Sequence, residues 1–312
     1  MSRIPIVSVV GPTASGKTAL AVEIALRHGG EVVSADSMQV YRTMDIATAK
    51  PTLEEMRGIP HYLVDCLDPG QSFSVADYAA LAHEVIADIH GRGKLPILAG
   101  GTGLYVDSVL GDVQFSEIKR DSDLREELAR CARENGPAAL LEMLREFDPE
   151  TAESLHENNL GRIIRAIEVY RLTGVTMSEH RRRSRLQPSR YRPLKFGLNY
   201  RDREKLYARI NLRVDRMLEQ GLLREAEEVL KCEGLSTATQ AIGCKEFVPY
   251  FKGEISLGEA VENLKRSTRR YAKRQLTWFL RDPDINWFYP DEEDMASIQK
   301  NIDAAIDNFM NL

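Results

Sequence analysis

Gly11-Pro12-Thr13-Ala14-Ser15-Gly16-Lys17-Thr18 follows the apolar run Ile4 to Val10 and precedes the helix-like run Ala19 to Arg27. The pattern G-x-x-x-x-G-K-[ST] in that context is a phosphate-binding loop. Small residues let successive backbone N–H groups point at phosphate oxygens, with the positive end of the next helix behind them. Lys17 adds a point charge, and Thr18 adds a hydroxyl suited to Mg²⁺. The chain therefore handles a polyphosphate. Loops of this kind belong to P-loop NTPase-like α/β folds, doubly wound parallel sheets with ligands at the carboxyl ends of the strands.

Working outward, strand-like and helix-like runs alternate, as a parallel sheet requires. The strands are read as Ile4 to Val10, Glu31 to Ser34, His61 to Val64, Leu95 to Ala99 and Leu194 to Leu198. Lys17 to His28 and Ser74 to His90 are the clearest helices between them. From about Asp121 to Pro188 the strand signal vanishes, and Asp123 to Glu134, Pro137 to Phe147 and Gly161 to Thr173 carry helical periodicity. The pattern predicts a core domain of residues 1–120 plus 189–312, interrupted by an all-helical insertion over 121–188. Beyond Leu198, a further amphipathic helix carries Arg209 and Arg213 one turn apart, where an anion could be met.

The 312 residues, 43% hydrophobic and 29% charged, describe a globular chain with room for a full core. No apolar stretch approaches the roughly 20 residues needed to span a bilayer, and the N-terminus lacks a signal-peptide layout. A cytoplasmic protein is expected. Cys66, Cys131, Cys232 and Cys244 are far apart and form no C-x-x-C pair, so neither a disulfide framework nor a zinc site is indicated. His83 and His90 match no metal-ligand spacing.

The net charge of −5 hides two acid-free basic runs. Arg181 to Lys195 holds seven cations, and so does Lys265 to Arg281, where they interleave with Tyr271, Trp278 and Phe279. On a helix, Arg266, Arg270 and Arg274 recur every four residues, opposite Leu264, Ala272, Leu276 and Phe279. One side packs and the other is a cationic ridge. Two such runs in an acidic chain point to a polyanion such as RNA.

Two segments just after strands carry specific chemistry. Asp36-Ser37-Met38-Gln39 places a carboxylate beside the phosphate loop, and Gln39 offers the paired donor and acceptor that can read an adenine edge. An Asx turn is the alternative role for Asp36. Gly100-Gly101-Thr102-Gly103 allows close backbone approach and presents the Thr102 hydroxyl. A hydrolysing ATPase would end that strand in an acid, and here there are glycines.

These motifs, with Thr48-Ala49-Lys50-Pro51, His61-Tyr62-Leu63-Val64-Asp65, Arg165-Ala166-Ile167-Glu168-Val169-Tyr170, Ala241-Ile242-Gly243 and Tyr271-Ala272-Lys273-Arg274-Gln275, closely resemble the tRNA dimethylallyltransferases. The resemblance runs in order from about residue 4 to about residue 281. Two departures stand out: Cys244 where the family usually has an aromatic, and Gly161 where it usually has Gln. The chain also ends without the zinc finger that eukaryotic enzymes append, as a bacterial-type member would.

The resemblance implies transfer of a dimethylallyl group from dimethylallyl diphosphate to N6 of the adenosine 3′ of the tRNA anticodon. It implies diphosphate binding by residues 11–18 with Arg209 and Arg213, Mg²⁺ at Thr18, and catalysis by Asp36, Thr102 and Lys17, with Asp36 as the base. Contacts to tRNA are expected from Asp36, Ser37, Met38, Gln39 and Thr102. The insertion should add Arg125, Gly161, Arg162, Ile163, Ile164 and Arg165, and the ridge Arg266, Arg270 and Arg274. The expected partner is the anticodon stem-loop, and the expected state a monomer. Two other readings of the residues stay open. A small-molecule kinase would use ATP on the phosphate loop but has no need of two basic runs. A nucleotide-gated RNA-binding module has no need of Asp36 beside the loop.

Overall fold

In the computed structural model, Val7, Ser8, Val9 and Val10 are all buried, as expected of a strand covered on both faces. The structure describes residues 3–68, 70–113, 121–186, 188–231 and 241–311. Among these, six strands form one sheet: β1 (Ile4–Val10), β2 (Gly30–Ser34), β3 (His61–Tyr62), β4 (Leu95–Gly100), β5 (Tyr191–Leu198) and β6 (Ile285–Phe288). The order is β3-β2-β4-β1-β5-β6, with every neighbouring pair parallel. Val7 lies opposite Ile97 on one side and Leu194 on the other, which puts the phosphate loop at the carboxyl edge of the sheet's interior.

Four helices precede the insertion: α1 (Lys17–His28), α2 (Leu53–Met56), α3 (Val75–Gly91) and α4 (Gly103–Leu110). Helix α3 starts where the sequence says it should, because Ser74 and Asp77 form a reciprocal capping box. Residues Gly111–Ser189 form a separate compact unit holding α5 (Ser122–Asn135), α6 (Pro137–Phe147), α7 (Pro149–Glu153), α8 (Leu160–Thr173) and α9 (Met177–Leu186). Its own core includes Leu128, Leu140, Leu144, Ile163 and Ile167. The first unit resumes at Arg190 with β5, followed by α10 (Arg203–Glu219), α11 (Leu222–Lys231), α12 (Val248–Phe251), α13 (Leu257–Phe279) and α14 (Met295–Met310).

Two apolar layers sandwich the sheet. One packs α3 and α4 through Tyr78, Ala82, Ile86 and Val109, and the other packs α1 and α14 through Leu20, Ile24, Ile298 and Ile302. A third cluster joins Val40, Tyr41 and Met44 to α11 and α13.

Several boundaries differ from the sequence reading. Strand β3 stops at Tyr62 because Leu63 and Asp65 turn into left-handed backbone, with φ of 60° and 52°. Strand β5 begins three residues early, so Arg192 joins Lys195 in the sheet. Strand β6 and α14 carried too weak a pattern to be read. Cys232 lies outside the described residues; Cys244 is buried in the third cluster, and burial pushes its thiol up to about 12, which leaves it inert.

Candidate active site

The phosphate loop leaves β1 at Gly11 with φ of 141°, and a Cβ there would sit 2.3 Å from the Leu198 carbonyl oxygen. Only glycine fits. The loop turns again at Ala14 and Gly16, at φ of 63° and 100°, before α1 begins at Lys17. Lys17 Nζ donates to the Pro12 carbonyl at 2.6 Å. Helix α10 contributes both expected arginines: Arg209 Nε donates to the Ala14 carbonyl at 3.0 Å, and the Arg213 guanidinium donates to the Thr13 hydroxyl at 3.2 Å.

A cavity of about 340 Å³ opens beside the loop. Lys17, Thr18, Arg213, Asp36, Tyr271 and Arg274 all line it. Burial pushes the Lys17 ammonium down to about 7; Arg213 adds to that and Asp36 opposes it. Burial likewise lowers Arg213, again opposed by Asp36, and raises the Tyr271 phenol, with Asp36 adding to the rise. Cations and one carboxylate thus face a shared, poorly solvated space, where charge acts over several ångströms. Among the described residues no cluster of three or more His, Cys, Asp or Glu could hold a metal ion. The Thr18 hydroxyl lines the same cavity and is an oxygen donor of the kind a hard divalent cation accepts.

Asp36 realises both readings. Its Oδ1 accepts from the Met38 N–H at 2.9 Å, which is the Asx turn, and the carboxylate still lines the cavity. Thr102 Oγ1 accepts from the Ser37 N–H at 3.1 Å, holding the Asp36 segment in place, next to the cavity-lining Gly101. Gln39 lines the cavity, but its side chain is engaged. Its Oε1 accepts from the Ser34 hydroxyl and its Nε2 donates to the Thr48 and Ala49 carbonyls, which commits the donor an adenine edge would need.

In the helical unit, Ile163 is fully buried and Ile164 nearly so, which removes their side chains from RNA contact. The amphipathic period of α8 sends them inward and leaves Gly161 and Arg162 exposed. Arg125 makes a bidentate pair with the buried Glu168, at 2.7 and 2.8 Å, and Arg165 bonds the same carboxylate at 2.6 Å. Three charges there sum to one positive.

The two basic runs part company. Arg182 and Arg183 pair with Glu179, Arg182 also reaches Glu150, and Arg181 donates to Thr151. Lys195 pairs with Asp282, and Arg192 lies over the Phe309 ring. The fold thus supplies acidic partners to Arg182, Arg183 and Lys195 of that run, while Arg181, Arg182 and Arg183 stay exposed. In the second run, Lys265 turns to Asp215 and Arg269 to Asn211 on α10. Arg266, Arg270, Lys273 and Arg274 stay exposed, and among the described residues none of them has an acidic partner.

Residues given no role in the sequence reading hold the site together. Glu225 accepts three backbone N–H bonds from Asp45, Ile46 and Ala47, and Lys50 bridges the Tyr41 carbonyl, Asp45 and Asp65. Gln275 bonds the phosphate loop itself. Gln275 stood in the sequence as the end of the Tyr271–Gln275 motif and as a glutamine on the packing face of α13.

The sequence profile of the IPP transferase family matches residues 39–282. The tRNA dimethylallyltransferase of Thermoanaerobacter sp. (strain X514) is 51% identical over 96% of this chain and 96% of that protein. That of Caldanaerobacter subterraneus subsp. tengcongensis is 50% identical over 93% of each. Among solved structures, the tRNA isopentenylpyrophosphate transferase of Bacillus halodurans superposes with a TM-score of 0.74 at 44% identity, covering 99% of this chain and 97% of that one. A eukaryotic dimethylallyltransferase acting on tRNA gives 0.84 at 29% identity, covering 99% and 80%. The family that the motifs resemble is therefore the one to which the chain is related along its length, and it belongs to the tRNA dimethylallyltransferases.

Proposed function

We propose that this chain transfers the dimethylallyl group of dimethylallyl diphosphate to N6 of the adenosine 3′-adjacent to a tRNA anticodon, with Asp36 as the base. One observation carries the reading: Lys17 and Arg213 face the same 340 Å³ cavity as the Asp36 carboxylate. The phosphate loop, Lys17 and Arg213 bind the diphosphate and neutralise the charge that grows on it as the carbon–oxygen bond breaks. N6 forms the new bond to the freed carbon, its proton passes to Asp36, and diphosphate departs with the electron pair. Mg²⁺ bound with the substrate would supply further charge neutralisation, with Thr18 as its protein ligand.

The adenosine leaves the anticodon stack to enter the cavity, at a cost of a few kcal/mol. The 36–38 segment would meet the base, and Arg274, exposed on α13 and at the cavity wall, would meet its phosphate. Arg266 and Arg270 would continue that phosphate track. The helical unit would grip the anticodon stem-loop through Arg162 and the Glu168-held pair Arg125 and Arg165. The same reading has the enzyme acting as a monomer in the cytoplasm. Consistent with a soluble substrate, no helix among the described residues is long and apolar enough to cross a membrane.

The test is to incubate the protein with unmodified tRNA, Mg²⁺ and either dimethylallyl diphosphate or labelled ATP. Prenylated adenosine is expected with the first alone. Phosphate transfer from ATP, or no product from either, would reject the proposal. The kinase alternative is not favoured, since the relatives named above are transferases of the prenyl class.

A further inference from the structure

Gln275 lies on the packing face of α13, 5% exposed, and its amide is shared between two loops that are far apart in sequence. Its Oε1 accepts from the Thr13 backbone N–H at 2.8 Å, and its Nε2 donates to the Gly101 carbonyl at 3.0 Å. The fit is close enough that a Cβ on Gly101 would lie 2.1 Å from Nε2. Thr13 belongs to the phosphate loop. Gly101 follows β4 directly and leads into Thr102, which accepts from the Ser37 N–H through Oγ1 and donates its own N–H to the Ala35 carbonyl, both at 3.1 Å. Asp36 is the residue between those two anchor points. One turn earlier on α13, the Tyr271 phenol interacts with both Thr102 and Gln275.

We propose that Gln275 is a positioning residue for the transfer: by tying the phosphate loop to Gly101 and Thr102, it sets the separation between the leaving diphosphate and the Asp36 carboxylate. The inference rests on the roles given above to Asp36 and the phosphate loop. The choice of residue follows from its chemistry. Only a planar amide presents an acceptor and a donor side by side at neutral pH. An ionised glutamate would still accept from Thr13 but would set a second acceptor against the Gly101 carbonyl, an uncompensated buried clash of lone pairs. A protonated glutamic acid again has one donor and one acceptor. Misplacing reacting groups by about 1 Å costs on the order of 10²-fold in rate.

The experiment compares wild type, Gln275→Ala, Gln275→Glu and Asp36→Asn in prenyl transfer to an anticodon stem-loop RNA at saturating dimethylallyl diphosphate. It covers pH from about 6 to about 8.5, the range over which a buried carboxyl with a raised pKa titrates. RNA affinity and thermal unfolding are measured in parallel. Gln275→Ala is expected to lose about 10²-fold in kcat with RNA affinity within about threefold. Gln275→Glu is expected to be as slow at the alkaline end and to regain about tenfold or more as pH falls, relative to wild type measured at the same pH. That pH profile decides the matter by itself if the alanine variant fails to fold. A Gln275→Ala kcat within about threefold of wild type, RNA affinity falling in step with kcat, or a Gln275→Glu profile parallel to wild type would each overturn the proposal. Wild type that transfers no prenyl group, or Asp36→Asn with undiminished kcat, would instead overturn the underlying reading and this inference with it.

Discussion

The Arg213 guanidinium, which donates to the Thr13 hydroxyl at 3.2 Å, adds its charge to burial in pushing the Lys17 ammonium down to about 7. Two cations that disfavour each other, one from α1 and one from α10, are held against the same loop. On the proposed reading, a diphosphate lying between them would relieve that repulsion.

Proton uptake on diphosphate binding follows directly. With a free-protein value near 7, Lys17 is mostly neutral at pH 8, and bound diphosphate favours the charged form. Affinity should fall as pH rises above 7, and binding at pH 8 should take up close to one proton, at most about 0.9. Calorimetry in buffers of different ionisation heat measures the uptake. Lys17→Met provides the background from the diphosphate's own titration, and equal uptake in the two proteins would show that Lys17 is not the group involved.

Asp36→Asn separates the base from the turn. The amide oxygen can still accept from the Met38 N–H, so the segment keeps its shape, but the side chain can no longer take a proton. A kcat loss of roughly 10² to 10⁴ is expected, with tRNA affinity within about threefold. Retained turnover with a large loss of affinity would make Asp36 a binding residue.

Arg266, Arg270 and Arg274 should each contribute to the salt dependence of tRNA binding. Every alanine substitution is expected to weaken binding and to reduce the slope of log K against log salt by a little under one, roughly 0.7 to 0.9. A wild-type slope near zero would assign the ridge to solvent.

Glu168→Ala should destabilise the helical unit, because it leaves Arg125 and Arg165 facing each other without their shared carboxylate. Although burial alone would raise Glu168, its hydrogen bonds from Arg125 and Arg165 hold it down at about 2, against an ordinary 4.5. A carboxylate lowered in the folded state contributes stability that is present above pH 4.5 and is lost as pH falls toward 2. The difference corresponds to about 3 kcal/mol. Hydrogen exchange in α5 and α8, compared between wild type and variant from pH 7 to about pH 3, should show the gap narrowing as the wild type weakens. A gap that stays constant with pH would remove the ion pairs as its cause.

Motifs set by short covalent spacing were legible from residues alone. The phosphate loop, its flanking β1 and α1, the capped helix α3 and the helical character of the insertion all depend on neighbours within a few residues. Strand β6 was not legible, since its four residues become a strand only by pairing with β5.

By itself, the sequence determined the chemical groups carried by this chain: a phosphate-binding loop motif at Gly11 to Thr18, a carboxylate at Asp36, and cations spaced along one helix. Tertiary structure decided which of those groups are free to act. Gln39, Thr102, Arg125 and Arg181 to Arg183 are engaged by partners, several of them brought from distant parts of the chain, while Arg266, Arg270 and Arg274 remain exposed. The reason is that a polar group must be satisfied when it is buried, and the partner that satisfies it is chosen by packing across the whole fold, which no local pattern records.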